Sequence, residues 1–110
     1  MNHADIDRVS LELHRRIARR LRQEPRLTDV ARANLDRWMK RNGHIPSLRR
    51  AYEEWRRLLE LPLEKLCAVL VEETDEGQRL RQNSPFAGVL PREEVWEIKR
   101  AARRHAATAA

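Results

Sequence analysis

Arginine is the residue type through which this chain could do most chemistry, and its spacing is not random. Read as a helix at about 100° per residue, the first segment places Arg8, Arg15, Arg19 and Arg22 within about 60° of one another. They lie opposite an apolar stripe centred on Ile6, Leu13 and Ile17. At a rise of about 1.5 Å per residue the four side chains span about 21 Å. A guanidinium is a planar, permanently charged fork suited to phosphate and carboxylate. A row of them could neutralise the phosphates of a nucleic-acid strand, releasing counterions and giving a salt-sensitive affinity. A second cationic group, Arg100, Arg103 and Arg104 with Lys99, falls in residues 99–110, which hold no acid. Two other readings of these residues stay open. One is a solvated helix face, in which Glu12 pairs with Arg8, Arg15 or Arg16, and the other is an acidic protein partner.

Catalytic constellations are harder to find. His3, His14, His44 and His105 are scattered, with no Cys or carboxylate at metal-ligand spacing. Gly43, Gly77 and Gly88 are the glycines of the chain and form no phosphate-cradling loop. No Ser sits in a nucleophile elbow, and Glu72-Glu73 and Glu93-Glu94 are adjacent pairs that point to different helix faces. No catalytic residue, metal site or cofactor is expected. One enzymatic resemblance is worth testing: HEPN-type ribonucleases carry an Arg followed after a few residues by a His. Arg8/His14, Arg37/His44 and Arg100/His105 all fit that spacing. Several fits in one Arg-rich chain show how easily chance produces the pattern, and Arg100 lacks the polar residue that usually follows.

The charge is segregated along the chain. Lys and Arg number 23 against 17 Asp and Glu, a net +6. Residues 1–57 carry a balance of +7, residues 58–98 a balance of −5, and residues 99–110 a balance of +4. A GC-rich genome would raise Arg throughout, but it would not leave the middle of the chain acidic. Cys67 is the lone cysteine, which excludes an internal disulfide framework. It sits in the apolar run Leu66–Val71, where a buried, inert thiol is expected. No apolar stretch approaches the roughly 20 residues of a membrane span, and the N-terminus is polar and acidic where a signal peptide would be apolar. A cytoplasmic protein without a membrane partner is therefore expected.

The elements that must position the arginines read as helices. A first helix runs from about Asp5 to Glu24, with Ile6, Val9, Leu13, Ile17 and Leu21 at helical spacing and Pro25 as its stop. A second runs from about Thr28, taken as N-cap, to Asn42, with Gly43 ending it. The third starts near Pro46 and carries Leu48, Tyr52, Trp55 and Leu59 inward. A fourth, from about Pro62 to Glu73, is the most apolar and should be central to the core. Its apolar run would also fit a strand, but the opening Pro and the closing acids favour a helix. The fifth starts at Asp75, with Gln78 completing a capping box. Pro91 opens the last helix, which turns Val95, Ile98 and Ala102 inward. Helices two and three do not match a helix-turn-helix pattern, because Asn42, His44 and Arg49 fall where that motif usually needs apolar residues, so a DNA-reading motif of that kind is unsupported. The expectation is an all-α bundle of five to six short helices. A single domain should cover residues 1–107, with a frayed tail at 108–110. With apolar residues this sparse, dimerisation or a partner is left open as the way the core is completed.

The stretch Glu76 to Leu90, followed by Pro91-Arg92-Glu93-Glu94-Val95-Trp96-Glu97-Ile98, resembles the C-terminal signature of a group of small Arg-rich helical bacterial proteins. Ala33-Asn34-Leu35-Asp36-Arg37-Trp38 is similar as well. Members are encoded beside toxin-like genes, which implies an antitoxin-like or companion role in a toxin–antitoxin type system. Where members carry Ser or Thr before the proline, this chain has Leu90. The expected function is thus a binding protein that meets a cognate, toxin-like protein and also DNA through its Arg clusters. The alternative is a sequence-nonspecific DNA- or RNA-binding protein, and the remote one a HEPN-like ribonuclease. Under these readings Arg8, Arg15, Arg19, Arg22, Arg100, Arg103 and Arg104 supply electrostatic contact. The loop at Pro85, Phe86 and Val89 supplies an apolar contact, unless it simply packs over the core.

Overall fold

The computed structural model describes residues 2–109, and among them every regular element is helical. The helices are α1 (His3–Gln23), α2 (Thr28–Asn42), α3 (Pro46–Leu58), α4 (Leu63–Leu70), α5 (Asp75–Arg81) and α6 (Arg92–Ala109), with a short 3-10 turn, Pro25–Leu27, between the first two. The all-α bundle expected from the periodicity is therefore observed. Its Cα radius of gyration is 14.4 Å, a little above the ~13 Å of a compact chain of this length.

Local chemistry explains most boundaries. α1 starts earlier than expected because Asn2 caps it: its Oδ1 accepts from the Asp5 amide at 2.9 Å, and Asp5 Oδ2 accepts from the Asn2 amide at 3.2 Å. This reciprocal box satisfies two amides that the helix start would otherwise orphan. Thr28 is not the expected cap. The 3-10 turn runs straight into α2, so Thr28 is already helical and its hydroxyl donates to the Pro25 carbonyl at 3.0 Å. α5 is capped by Thr74, whose hydroxyl accepts from the Gly77 amide at 3.1 Å, rather than by Asp75 with Gln78. Gln78 reaches across to Asp7 on α1 instead.

α4 is shorter than the sequence suggested, ending at Leu70 rather than Glu73. A side chain from another element meets this end. Arg81, buried at the end of α5, donates through Nη1 to the carbonyls of Leu70 (3.3 Å) and Glu72 (2.7 Å). A cation on the last carbonyls of a helix satisfies groups that have no helical partner and complements the negative end of the dipole. α6 runs to Ala109, and Ala110 lies outside the described residues.

The core closes within one chain. α4 contributes Leu66, Cys67 and Leu70, all at most 1% exposed, against Ile17, Ala18 and Leu21 of α1. α2 adds Ala31 and Leu35, and α3 adds Tyr52 and Trp55. Trp55 stacks edge-on to Phe86 with ring centroids 5.8 Å apart, and its Nε1 donates to the Leu80 carbonyl at 3.1 Å. Trp38 and Tyr52 form a second aromatic pair at 5.7 Å. Cys67 faces the Ala18 carbonyl, and burial pushes its thiol pKa up. Ile6 departs from its expected place in the α1 stripe: it is 52% exposed.

The segment joining α5 to α6 is held from two sides, by α2 and by α1. Asn34 of α2 donates through Nδ2 to the Pro85 carbonyl (2.8 Å) and the Ala87 carbonyl (2.9 Å), and its Oδ1 accepts from Arg37. From α1, His14 Nδ1 donates to the Ser10 carbonyl at 2.6 Å, which leaves Nε2 to accept the Ser84 hydroxyl at 2.7 Å. Gly88 turns the chain at φ 93°, a left-handed conformation that side chains disfavour. Leu90, buried just after, then delivers Pro91 to the start of α6.

Candidate nucleic-acid interface

α1 and α6 lie side by side and antiparallel, pinned by Arg16. Its Nη1 donates to Glu94 at 3.1 Å and its Nε to Glu12 at 3.3 Å. The hydrogen bond it donates to Glu94 raises the affinity of Arg16 for its proton, so this pin stays charged. Further along, an open groove of about 680 Å³ runs between the two helices, lined by Asp5, Arg8, Val9, Ile98, Arg104 and His105 among others. The fold therefore does bring cations from the two chain ends together at Arg8 and Arg104. Glu12, Arg16 and Glu97 also line this groove, so its charge is mixed.

The expected ridge on α1 is placed on the surface but mostly neutralised. Arg8 pairs with Asp5 at 3.1 Å, Arg15 with Glu12 at 3.5 Å and with Glu73 at 3.3 Å, and Arg22 with Glu64 at 3.0 Å. The last two reach carboxylates from the acidic middle of the chain, which folds back against α1. Of the four expected ridge residues, Arg19 alone is exposed and without an ion pair among the described residues. Exposed pairs of this kind add little stability. Their consequence is electrostatic: a carboxylate beside each arginine cancels much of the field a phosphate would feel. The α1 arginines thus stand mostly in internal pairs rather than as a free cationic row.

The C-terminal group is different. Arg100, Arg103 and Arg104, together with Lys99 and Arg92, are exposed, and none makes an ion pair among the described residues. The helix dipole does not account for them, since the last turn of α6 holds no basic residue and the dipole acts within about one turn of the end. α6 buries Ile98 and half-buries Glu94, Val95, Ala102 and Ala106 against the rest of the protein. Arg92, Lys99, Arg100 and Arg103 consequently project from its outer face, while Arg104 turns toward the groove.

Pro85, Phe86 and Val89 do not form a contact loop. Phe86 is 2% and Val89 3% exposed, and Pro85 is fully buried. Their side chains are spent on the chain's own core, and the expectation of an apolar partner contact there is corrected. Two of the Arg/His pairs, Arg100/His105 and Arg8/His14, are not convergent either. Five residues apart, Arg100 and His105 point about 140° away from each other round α6, and His105 faces the groove whereas Arg100 does not. His14 has both ring nitrogens engaged and is buried away from Arg8, which pairs with Asp5. Burial holds the His14 pKa below its ordinary value, with the Ser10 hydrogen bond opposing and Arg81 adding to the shift.

Sequence reasoning missed Arg92 and the half-exposed Trp96. The signal was present, since Arg92, Lys99, Arg100 and Arg103 stand at −4, +3, +4 and +7 from that tryptophan. It also missed Asn34 and Arg81, whose partners are remote backbone carbonyls that no side-chain pattern announces. Among the described residues no helix is long and apolar enough to cross a membrane, and no group of three or more His, Cys, Asp or Glu side chains is placed to hold a metal ion. No protein-family model, curated protein or solved structure matches the chain.

Proposed function

We propose that this is a helical nucleic-acid-binding protein whose contact surface is the outer face of α6. One observation carries the reading: the cations of α6 are exposed and unpaired, while those of α1 are largely satisfied by the chain's own carboxylates. A row of free guanidinium and ammonium groups on a rigid helix binds polyphosphate by displacing counterions, without needing to recognise bases. Toxin neutralisation, the role that the resemblance implies, would draw on the same cations but also on an apolar contact. The loop expected to supply that contact is buried, which favours nucleic acid over an acidic protein.

The test is a salt titration of binding to DNA. Removing one phosphate-binding cation should lower the slope of log affinity against log salt by about 0.9 on duplex or about 0.7 on a single strand. Replacing Arg100 and Arg103 by Gln should lower the slope by nearly two such steps. The same change at Arg8, Arg15 and Arg22 should leave it almost unaltered. Equal losses from both sets, or no binding by the parent at low salt, would overturn the assignment to α6.

A further inference from the structure

We infer that the nucleic acid taken by α6 is single-stranded, with an unpaired base stacked on Trp96; this rests on the reading of α6 as a nucleic-acid face. The chain has three tryptophans. Trp55 is 1% exposed in the core, and Trp38 is partly buried against Tyr52. Trp96 alone is left 49% exposed. It stands on the side of α6 opposite the buried Ile98.

Its surroundings indicate what it meets. At about 100° per residue, Arg103 lies about 20° from Trp96 round the helix, Arg92 and Arg100 about 40°, and Lys99 about 60°. From Arg92 to Arg103 the stripe runs about 16 Å along the axis. Glu93 is the one carboxylate within the same arc. An exposed ring set among unpaired cations is the arrangement with which proteins hold single strands: the cations track the backbone while the ring stacks on a base. A duplex keeps its base faces covered by their neighbours, so it could engage the cations but not the ring.

Other occupants of this face fit less well. A second copy of the chain laid symmetrically on Trp96 would bring two sets of like charges together. A membrane surface would need an apolar face on the helix, and the arc around Trp96 holds no other large apolar residue.

The experiment uses the intact protein with a labelled oligo(dT) and a duplex of the same length, at low salt. Trp96→Ala should weaken oligo(dT) binding about tenfold, within the range of one stacked base, and leave duplex binding unchanged. Trp96→Phe should restore most of the loss, since a smaller ring still stacks. Oligo(dT) should also quench the tryptophan emission of the parent and quench it less in Trp96→Phe. Because Trp96 lies outside the core, circular dichroism should show all variants folded. Parent binding that Trp96→Ala leaves intact, or weakens equally on both probes, would overturn the stacking inference while leaving the cationic face standing. Failure of the parent to bind either probe would remove both.

Discussion

Asn34→Ala tests how much of the hold on the route into α6 comes from α2. Asn34 is 5% exposed and donates to two carbonyls of the α5–α6 segment, those of Pro85 and Ala87. Truncation removes both donors without replacing either. The Pro85 carbonyl is buried and would be left without a partner, at about 1–3 kcal/mol. Ala87 is exposed, so water can replace the second bond and the loss is about 0.5–1.5 kcal/mol. Together these predict a destabilisation of about 1.5–4.5 kcal/mol. Against a total of about 5–15 kcal/mol for a domain, that is a large share. At about 4 °C per kcal/mol for a chain of this length, Tm should fall by about 6–18 °C. Urea unfolding followed by far-UV circular dichroism measures the change, with an unaltered m-value as the check that the two-state treatment holds. Arg37→Ala, which leaves the Asn34 donors in place, should cost much less. A loss below about 0.5 kcal/mol for Asn34→Ala, or an equal loss for Arg37→Ala, would refute the claim that these two bonds hold the segment.

Phe86→Ala should destabilise by about 3–5 kcal/mol, because the ring is 2% exposed and meets the edge of Trp55; equilibrium unfolding reads this directly, and a cost typical of a surface residue would contradict its burial. Stability should also depend on pH through His14. Its folded pKa lies below the ordinary 6.5 because of burial, so the unfolded chain binds the extra proton first as pH falls. The stabilisation is full above about 6.5 and is lost as pH drops below that value toward the folded pKa. Tm measured from about pH 7.5 to about pH 5 should therefore fall more steeply in the parent than in His14→Gln; parallel curves would show that His14 is not the group responsible. Finally, Arg81→Met keeps the volume of the side chain but removes the donor to the Leu70 and Glu72 carbonyls. It should destabilise the protein and increase hydrogen exchange of amides in α4 before those in α2; uniform exchange would argue against a local cap.

Much of the architecture could be read directly from residue order. Leu13, Ile17 and Leu21, or Tyr52 and Trp55, repeat at helical spacing, and Pro25, Pro46, Pro62 and Pro91 mark boundaries through properties of their own backbone. Such local signals act within about one helical turn, so they survive without knowledge of the fold. The errors fall where a partner is distant in sequence. Where α4 stops at Leu70, Arg81 donates to the carbonyls of Leu70 and Glu72, and Thr28 fails as a cap because the preceding turn leads into the helix. Phe86 looks available for contact in the sequence, but in the fold Asn34 and His14 draw its segment inward.

The same division holds for charge. Residue order alone determined how many arginines there are, that they segregate toward the two ends, and which share one face of a helix. Whether each arginine is free was decided only by the folded chain, because an ion pair requires a carboxylate within about 4 Å. Folding carried Glu64 and Glu73 of the acidic middle to Arg22 and Arg15 and, among the described residues, placed no acid on Arg100 or Arg103. An arginine's side-chain chemistry is local, but the field it presents depends on everything packed within a few ångströms, and that neighbourhood is a property of the tertiary structure.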